Sequence, residues 1–242
     1  MIFTYKGYLE VLLLLRENGY VFSDYSNYGS FSKPVILRHD VDFSIQKALS
    51  MALLEAENDV RSTYFVLLST NFYNVFSRES TIQVKEILGL GHNIGLHFDE
   101  TVYDVSDLSE LGVFVKKEIF ILEDLLDSRV DVVSMHRPSQ AMLESDLCID
   151  GVINSYSKEF FREFKYVSDS RMHCREDIYE VIESQSWDKL HILTHPFWFS
   201  ETEETMKEKL IEFIRSATKE RYNNLKDNFR NLEADLSEDE IP

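Results

Sequence analysis

The sequence predicts an α/β fold with a parallel sheet. Short runs rich in apolar and β-branched residues alternate with segments of helical period along most of the 242 residues, which is the pattern of repeated βα units. The run 62–68 is almost wholly apolar, as is typical of a strand buried on both faces. Hydrophobic residues make up 44% of the chain, enough to bury a large core.

About seven strands are expected, each followed by a helix or loop. In chain order they cover residues 35–37, 62–68, 93–97, 130–135, 151–153, 165–168 and 190–194. The clearest helices between them are expected at 45–58, at about 82–90 and at 106–126, the last with Ser106 as its N-terminal cap. Near the start, the apolar run 9–15 contains Glu10 and predicts an amphipathic helix.

The domain organisation is expected to be simple. No linker, internal repeat or low-complexity tract precedes the C-terminal segment, so we expect one barrel domain over residues 1–200. Residues 201–242 are expected to form a C-terminal helix and an acidic tail that packs on this domain or extends from it. The stretch 233–240 is rich in Asp and Glu, which predicts a frayed end.

Charge and composition exclude several classes of protein. The 43 acidic residues outnumber the 25 basic ones, which gives a net charge of −18. Such a surface repels phosphate backbones and anionic lipids, so neither a nucleic-acid partner nor a membrane-surface role is expected. Cys148 and Cys174 form neither a disulfide framework nor a metal-binding pair. Without a signal peptide or a transmembrane segment, the expected compartment is the cytoplasm.

Acidic and basic side chains fall at the carboxyl ends of several predicted strands. In parallel α/β folds ligands bind at that edge, because the loops converge there and helix N-termini point towards it. The pattern therefore predicts a single site. Its members at strand ends are Asp40, Asp42, His97, His136, Arg137, Asp169 and His195.

Asp40 and Asp42 stand two residues apart in an extended segment, so both side chains project to one side. Two carboxylates at one strand end repel each other unless a cation or proton lies between them. A divalent metal bound by one, with the other as base on a water molecule, resolves that repulsion. The alternative is that Asp42 only caps the following helix. His97 is a candidate ligand, since Asp plus His suits Zn, Co, Mn or Fe better than Ca or Mg; a purely structural histidine is its alternative.

The remaining candidates each have two interpretations. His195 precedes a proline and lies beside aromatic residues, which makes it a candidate general acid. Trp198 is either an apolar wall for a sugar ring or acyl group or a core residue. Asp99 is either a further ligand or supporting acid, or the cap of a loop. Arg137 either holds a catalytic carboxylate in place or forms an ion pair at the rim.

Five segments together resemble a known family. They are Ile36–Asp42 (ILRHDVD), Ser62–Val66 (STYFV), Gly91–Asp99 (GHNIGLHFD), His136–Pro138 (HRP) and Leu193–Pro196 (LTHP). In this order they are similar to the motifs of the polysaccharide deacetylase (NodB-homology) superfamily, from about Val35 to Trp198. The resemblance implies a distorted (β/α) barrel, commonly with seven strands. It also implies removal of acyl groups from amino sugars with a bound divalent metal, zinc ahead of Co, Mn or Fe.

The resemblance also implies a role for individual residues. Asp40 corresponds to the base that activates water, and Asp42 and His97 correspond to metal ligands. Arg137 corresponds to the arginine that orients the base, and His195 to the general acid.

Two positions depart from the family pattern. Val41 separates two aspartates that are usually adjacent, and Thr101 stands where the second histidine ligand is usually found. We therefore propose His136 as the third ligand, with Asp99 as its rival. Asp169, Trp198 and His39 are expected around the site as substrate-binding or supporting residues, and for His39 packing is the alternative.

The leading hypothesis is a metal-dependent hydrolase that removes an acyl group from an N-acylated (or O-acylated) sugar during surface-polysaccharide (lipopolysaccharide) biosynthesis. Its substrate would be a small sugar, a sugar nucleotide or a lipid-linked saccharide. One rival is a relative that binds a sugar or a partner enzyme without catalysis. The other is hydrolysis of a different non-peptide C–N bond, because fold resemblance does not fix the reaction.

Overall fold

A computed structural model describes residues 1–105 and 108–241, and only the backbone at residue 109. The chain forms two compact units, Met1–Glu201 and Thr202–Pro242. The predicted helix cap at Ser106 lies outside the described residues. No described helix is both long and apolar enough to cross a membrane.

The described part of the first unit contains eight strands, all paired in parallel. They are β1 (Val21–Ser23), β2 (Pro34–Val41), β3 (Thr63–Leu67), β4 (Asn93–Phe98), β5 (Val132–Met135), β6 (Ile153–Asn154), β7 (Lys165–Ser168) and β8 (Leu190–Thr194). Seven correspond to the predicted strands. The sequence did not predict β1, because three residues are too few to show a periodic pattern.

The α-helices lie before, between and after these strands. They are α1 (Tyr5–Glu17), α2 (Ile45–Glu57), α3 (Arg78–Gly89), α4 (Leu108–Leu126), α5 (Gln140–Glu144), α6 (Ile178–Glu183), α7 (Met206–Lys226) and α8 (Leu232–Asp235). Side-chain caps fix several of their starts. Ser44 accepts a hydrogen bond from the backbone N–H of Lys47 at the start of α2, and Ser77 does the same for α3.

The strand order is that of a barrel with one opening. It runs β6-β5-β4-β3-β2-β8-β7, with β1 paired to the first half of β2. Read as a circle, consecutive strands are neighbours everywhere except between β6 and β7, which are not paired in the described part of the chain. The prediction of a distorted (β/α) barrel is thus confirmed.

Side chains of alternate strand residues fill two different spaces. Ile36, Phe65 and Val132 form an apolar cluster with Phe160 and Phe164 inside the barrel. The intervening residues face the helices, where a larger core is centred on α2, α3 and α4. Gly95 of β4 lies against the Phe65 ring, since a Cβ built there would be 2.5 Å from it.

A carboxylate, Glu55 of α2, is fully buried on the helix side of the sheet. It accepts hydrogen bonds from four side chains at 2.6–2.9 Å: Tyr8, His39, Ser62 and Tyr64. Burial alone raises the pKa of Glu55, but the charge and hydrogen bond of His39 outweigh it and lower this pKa to about 2. Glu55 therefore links α1 and α2 to strands β2 and β3 as an ionised group.

The acidic C-terminus is folded, contrary to the predicted frayed tail. Tyr222 of α7 donates a hydrogen bond to the carbonyl of Leu236 at 2.9 Å. The ammonium of Lys226 lies 3.7 Å from Glu233 and 3.8 Å from Glu238. The acidic composition of residues 233–240 predicted disorder. Composition alone does not show that Tyr222 and Lys226, one helical turn apart on α7, bond to the segment that follows this helix.

Gly95→Ala should destabilise the first unit by about 1–3 kcal/mol, because the added methyl group overlaps the Phe65 ring. Equilibrium unfolding in urea measures the loss, and Phe65→Leu in the same chain should restore part of it. Gly112→Ala in α4 is the matched control, since its Cβ would meet nothing closer than 3.8 Å. That control should be neutral or stabilising. Equal losses in both variants would contradict the close approach at Gly95.

Glu55→Gln should destabilise the protein at neutral pH and flatten its acid dependence. The folded pKa of about 2 lies below the value of about 4.3 in unfolded chains. Ionised Glu55 therefore contributes stability above pH ~4.3, about 3 kcal/mol, which is lost as the pH falls through about 2. Urea unfolding from pH 7 to pH 2 measures this slope. Glu57→Gln, on the exposed face of the same helix, should leave it unchanged.

Candidate active site

The carboxyl ends of β2, β4, β5 and β8 bring the predicted acids and histidines together. Asp42 follows β2, His97 is near the end of β4, and His136 follows β5. His195 follows β8, and its Nε2 lies 3.9 Å from Asp42 Oδ2. Strand-end placement in the sequence thus predicted residues that are close in space.

Asp42, His97 and His136 direct one donor atom each at a common point. Oδ1 of Asp42 lies 3.2 Å from His97 Nε2 and 3.4 Å from His136 Nδ1, and the two ring nitrogens are 3.2 Å apart. Around tetrahedral zinc with bonds of about 2.0–2.1 Å, donor atoms are separated by roughly 3.3 Å. The three side chains therefore have the spacing that such a metal requires.

Apart from the contact between the two ring nitrogens, the bonding of these side chains leaves their donor atoms available. Oδ1 of Asp42 is buried and has no hydrogen-bond partner among the described residues. Ser44, and not Asp42, caps α2, which removes the helix-cap interpretation of Asp42. Burial by itself raises the pKa of Asp42, but the facing imidazoles of His136 and His97 outweigh it and lower this pKa. Nδ1 of His97 is hydrogen-bonded to Ser134 Oγ at 2.6 Å. This bond orients the ring so that its Nε2 faces Asp42 and His136.

Asp99 lies outside this group. Its Oδ1 accepts hydrogen bonds from the backbone N–H and the hydroxyl of Thr101, and it caps the short 3-10 helix Glu100–Val102. Among the described residues, the three side chains that could share a metal are those of Asp42, His97 and His136. The structure thus places Asp99 as a loop cap, the third of its predicted roles.

Asp40 is held by Arg38. The guanidinium makes two parallel hydrogen bonds to the carboxylate, Nε to Oδ1 at 2.8 Å and Nη2 to Oδ2 at 2.7 Å, and both residues are buried. Burial raises the pKa of Asp40, but the charge of Arg38 outweighs it, so this pKa lies below its usual range. Asp40 is thus ionised, and its Oδ2 lies 3.6 Å from His97 Nε2.

The guanidinium beside Asp40 is thus that of Arg38, and not that of Arg137, for which the orienting role was predicted. Arg137 is exposed and has a positive φ of 49°, whereas Arg38 lies two residues before Asp40 on the same strand. Residues i and i+2 of a strand share a face, so this spacing was the signal that could have identified Arg38. The guanidinium of Arg38 also packs over the rings of Phe65 and Tyr156, within the barrel.

His195 is fixed by Asp169. The ring Nδ1 lies 2.6 Å from Asp169 Oδ1, and the backbone N–H of His195 donates to the same carboxylate. Burial lowers the pKa of His195, but the charge and hydrogen bond of Asp169 outweigh it and raise this pKa to about 9. His195 thus carries a proton at neutral pH, with Nε2 directed towards Asp42.

Aromatic rings border the site beyond Asp42 and His195. Phe43 packs against Phe72 and Phe197 at centroid distances of 4.8 and 4.7 Å, and Trp198 lies 4.9 Å from Phe197. Trp198 is only 7% exposed, so most of its ring is core and little of it is offered to a ligand. The more accessible ring is that of Phe72, which the sequence did not single out.

His39 lies on the other face of β2. Its ring stacks on Tyr64 at 4.5 Å, and its two nitrogens bond to Glu55 and to Thr194. His39 therefore packs on the helix face of β2, opposite to the face of Asp40. Among the contacts of the described residues, none joins His39 to Asp42, His97 or His136.

His136→Ala should lower zinc affinity by more than the ~10–100-fold that is typical of supporting residues, because it removes one of three donor atoms. Asp99→Ala is the comparison, and it should keep affinity close to that of the unchanged protein because Asp99 bonds to Thr101. Competition with a chromophoric chelator measures both affinities. Equal losses would contradict the assignment of His136, and so would loss in Asp99→Ala alone.

Comparison with known proteins gives matches among solved structures only. No model of a known protein family matches the chain, and no curated protein matches it. The matching structures include IcaB from Ammonifex degensii, at 16% identity and a TM-score of 0.40 over 54% of this chain and 65% of that one. The chain thus spans about two thirds of the length of that protein.

Two further matches have similar scores. A CE4 family pseudoenzyme, BA3943 from Bacillus anthracis, aligns at 14% identity and a TM-score of 0.45 over 82% of this chain and 65% of that one. The chitin deacetylase of the fungus Colletotrichum lindemuthianum aligns at 16% identity and a TM-score of 0.45 over 75% of this chain and 81% of that one. Of these two matches, one is thus a pseudoenzyme and the other a chitin deacetylase.

Proposed function

We propose that the protein is a metal-dependent hydrolase that removes an acyl group from an N-acylated sugar. The observation that carries the proposal is the group formed by Asp42, His97 and His136, with donor atoms 3.2–3.4 Å apart. An ionised carboxylate, Asp40, lies beside this group and is paired with the guanidinium of Arg38. A second histidine, His195, faces it on another side.

A divalent cation held by Asp42, His97 and His136 would supply Lewis acidity, which activates water and stabilises negative charge on an acyl oxygen. Imidazole and carboxylate donors at this spacing favour zinc, with cobalt, manganese and iron as alternatives. Ser134 supports the arrangement, because its hydroxyl fixes the His97 ring and lies 3.4 Å from Asp40.

Asp40 is suited to accept a proton from the attacking water. Its bidentate ion pair with Arg38 holds both carboxylate oxygens in fixed positions and keeps the group ionised. The water oxygen adds to the acyl carbon as its proton passes to Asp40, and the carbon–nitrogen bond then breaks. Arg38 touches the base and not the reacting atoms, so we regard it as a positioning residue.

His195 is suited to protonate the leaving nitrogen. An amine leaves an acyl carbon only when it receives a proton, and a general acid with a raised pKa supplies one at neutral pH. Asp169 fixes the ring by accepting from Nδ1–H, which directs Nε2–H at the site. The products are a carboxylic acid and the free amino sugar.

The substrate class follows from the resemblance stated for the motifs. An amino sugar with an N-acetyl group, free or attached to a nucleotide or lipid carrier, fits a role in surface-polysaccharide biosynthesis. The expected compartment remains the cytoplasm. The same acid, base and metal arrangement would also serve O-acyl groups and other non-peptide C–N bonds.

One observation favours a second candidate function, binding without catalysis. Thr101 stands where the family usually has its second histidine ligand, and its hydroxyl bonds to Asp99. His136 supplies a third donor from another strand end, and for this reason we prefer the hydrolase. Protein that takes up no Zn, Co, Mn or Fe above background would favour the binding role.

Asp40→Asn should reduce deacylation of an N-acetyl amino sugar by about 10²–10⁴-fold, since the base is lost. Metal affinity should change little, because Asp40 is not among the three donors. Released amine, measured with the metal-loaded protein, reports the reaction. Asp99→Asn makes the same chemical change at the loop cap and should remain active. Retained activity in Asp40→Asn would refute the role of Asp40 as base.

A further inference from the structure

The contact between His39 and Thr194 joins the two strands that carry the proposed base and acid. His39 Nδ1 shares a hydrogen bond of 2.7 Å with the Thr194 hydroxyl, and both side chains are buried. Asp40 directly follows His39, and His195 directly follows Thr194. The link therefore lies one residue before each of the two proposed catalytic side chains.

This link lies where the backbone ladder stops. The register of β2 and β8 runs from Val35 opposite Leu190 to His39 opposite Thr194, which is the last pair. Beyond it β2 continues beside β3, whereas the chain after β8 turns into the short 3-10 helix Pro196–Trp198. Asp40 and His195 lie beyond this last pair and are not themselves a register pair of the ladder.

His39 is itself held in place from two directions. Its Nε2 bonds to the buried carboxylate of Glu55 at 2.9 Å, and Glu55 is fixed by Tyr8, Ser62 and Tyr64. The ring of Tyr64 stacks on that of His39 at 4.5 Å. Thr194 is thus anchored to a rigid group of side chains on the helix face of the sheet.

We propose that Thr194 is a positioning residue for the general acid, held through His39 by Glu55. Asp169 fixes His195 from the site face, by bonding to its ring and its backbone N–H. The Thr194 hydroxyl fixes the same strand end from the opposite face. Thr194 acts on catalysis through the placement of His195 relative to Asp40, and it does not touch the reacting atoms. The inference rests on the proposed hydrolase function.

Two substrates separate this role from a merely structural one. An N-acetyl amino sugar needs a proton on its leaving nitrogen, whereas 4-nitrophenyl acetate releases a phenolate that leaves without one. Loss of acid placement should therefore lower amide hydrolysis and spare the aryl ester. General unfolding or loss of metal would lower both reactions together.

Thr194→Val keeps the branched side chain and removes the hydroxyl. In the metal-loaded protein we expect kcat for the amide to fall about 10–100-fold and kcat for the aryl ester to change less than ~3-fold. Thr194→Ser, which restores a hydroxyl, should recover most of the amide activity. Thr81→Val is the matched control, because its hydroxyl bonds to the Val75 carbonyl in a loop, and it should leave the ratio of the two rates unchanged.

A second readout does not depend on activity. The imidazole ¹⁵N spectrum of the metal-free protein should show the Nδ1 resonance of His39 shifted in Thr194→Val and restored in Thr194→Ser. An unmoved resonance would overturn the inference, and so would equal loss of both reactions or no loss in either. If the unchanged, metal-loaded protein hydrolyses neither substrate, the proposed function itself fails, and the ¹⁵N result still shows whether the link exists.

Discussion

The constraint on which the structure depends is the burial of charged side chains on β2. Every residue of this strand is buried, yet Arg38, His39 and Asp40 occupy three consecutive positions in it. Polar groups in such a place destabilise the fold unless each one is bonded. Successive side chains of a strand point to opposite faces, so these three residues find partners on different sides of β2. Arg38 and Asp40 face the barrel interior and pair with each other. His39 faces the helices, where Glu55 meets it.

The two faces of β2 have different consequences. On the helix face, four donors around Glu55 form a closed network that ties α1, α2 and β3 to the strand. On the interior face the network stays open at two atoms, Arg38 Nη1 and Asp42 Oδ1, which are buried without a hydrogen-bond partner among the described residues. A cation between Asp42, His97 and His136 would satisfy that oxygen. The same strand thus stabilises the barrel on one side and forms the site on the other.

The sequence predicted those parts of the molecule that repeat a local pattern. Strand ends gave Asp42, His97, His136 and His195, because parallel strands bring their carboxyl ends to one edge. Arg38 was not predicted as the partner of Asp40, since the choice between Arg38 and Arg137 depends on backbone direction after β5. Asp99 was similarly ambiguous until its bonds to Thr101 were known. Both partners lie two residues away, so residue spacing allowed these contacts, but it did not exclude the more distant partners that the sequence also offered.

The end of β8 shows how side chains extend the sheet beyond its backbone ladder. At the edge next to β7, the Asp169 carboxylate accepts from the His195 N–H, where a further strand residue would have offered a carbonyl. At the edge next to β2, the Thr194 hydroxyl meets His39 after the last paired residues. On both edges of β8, side-chain hydrogen bonds thus continue where the backbone ladder ends. A catalytic side chain placed one residue past a ladder can project into the site, and bonds of this kind give it the rigidity of a strand.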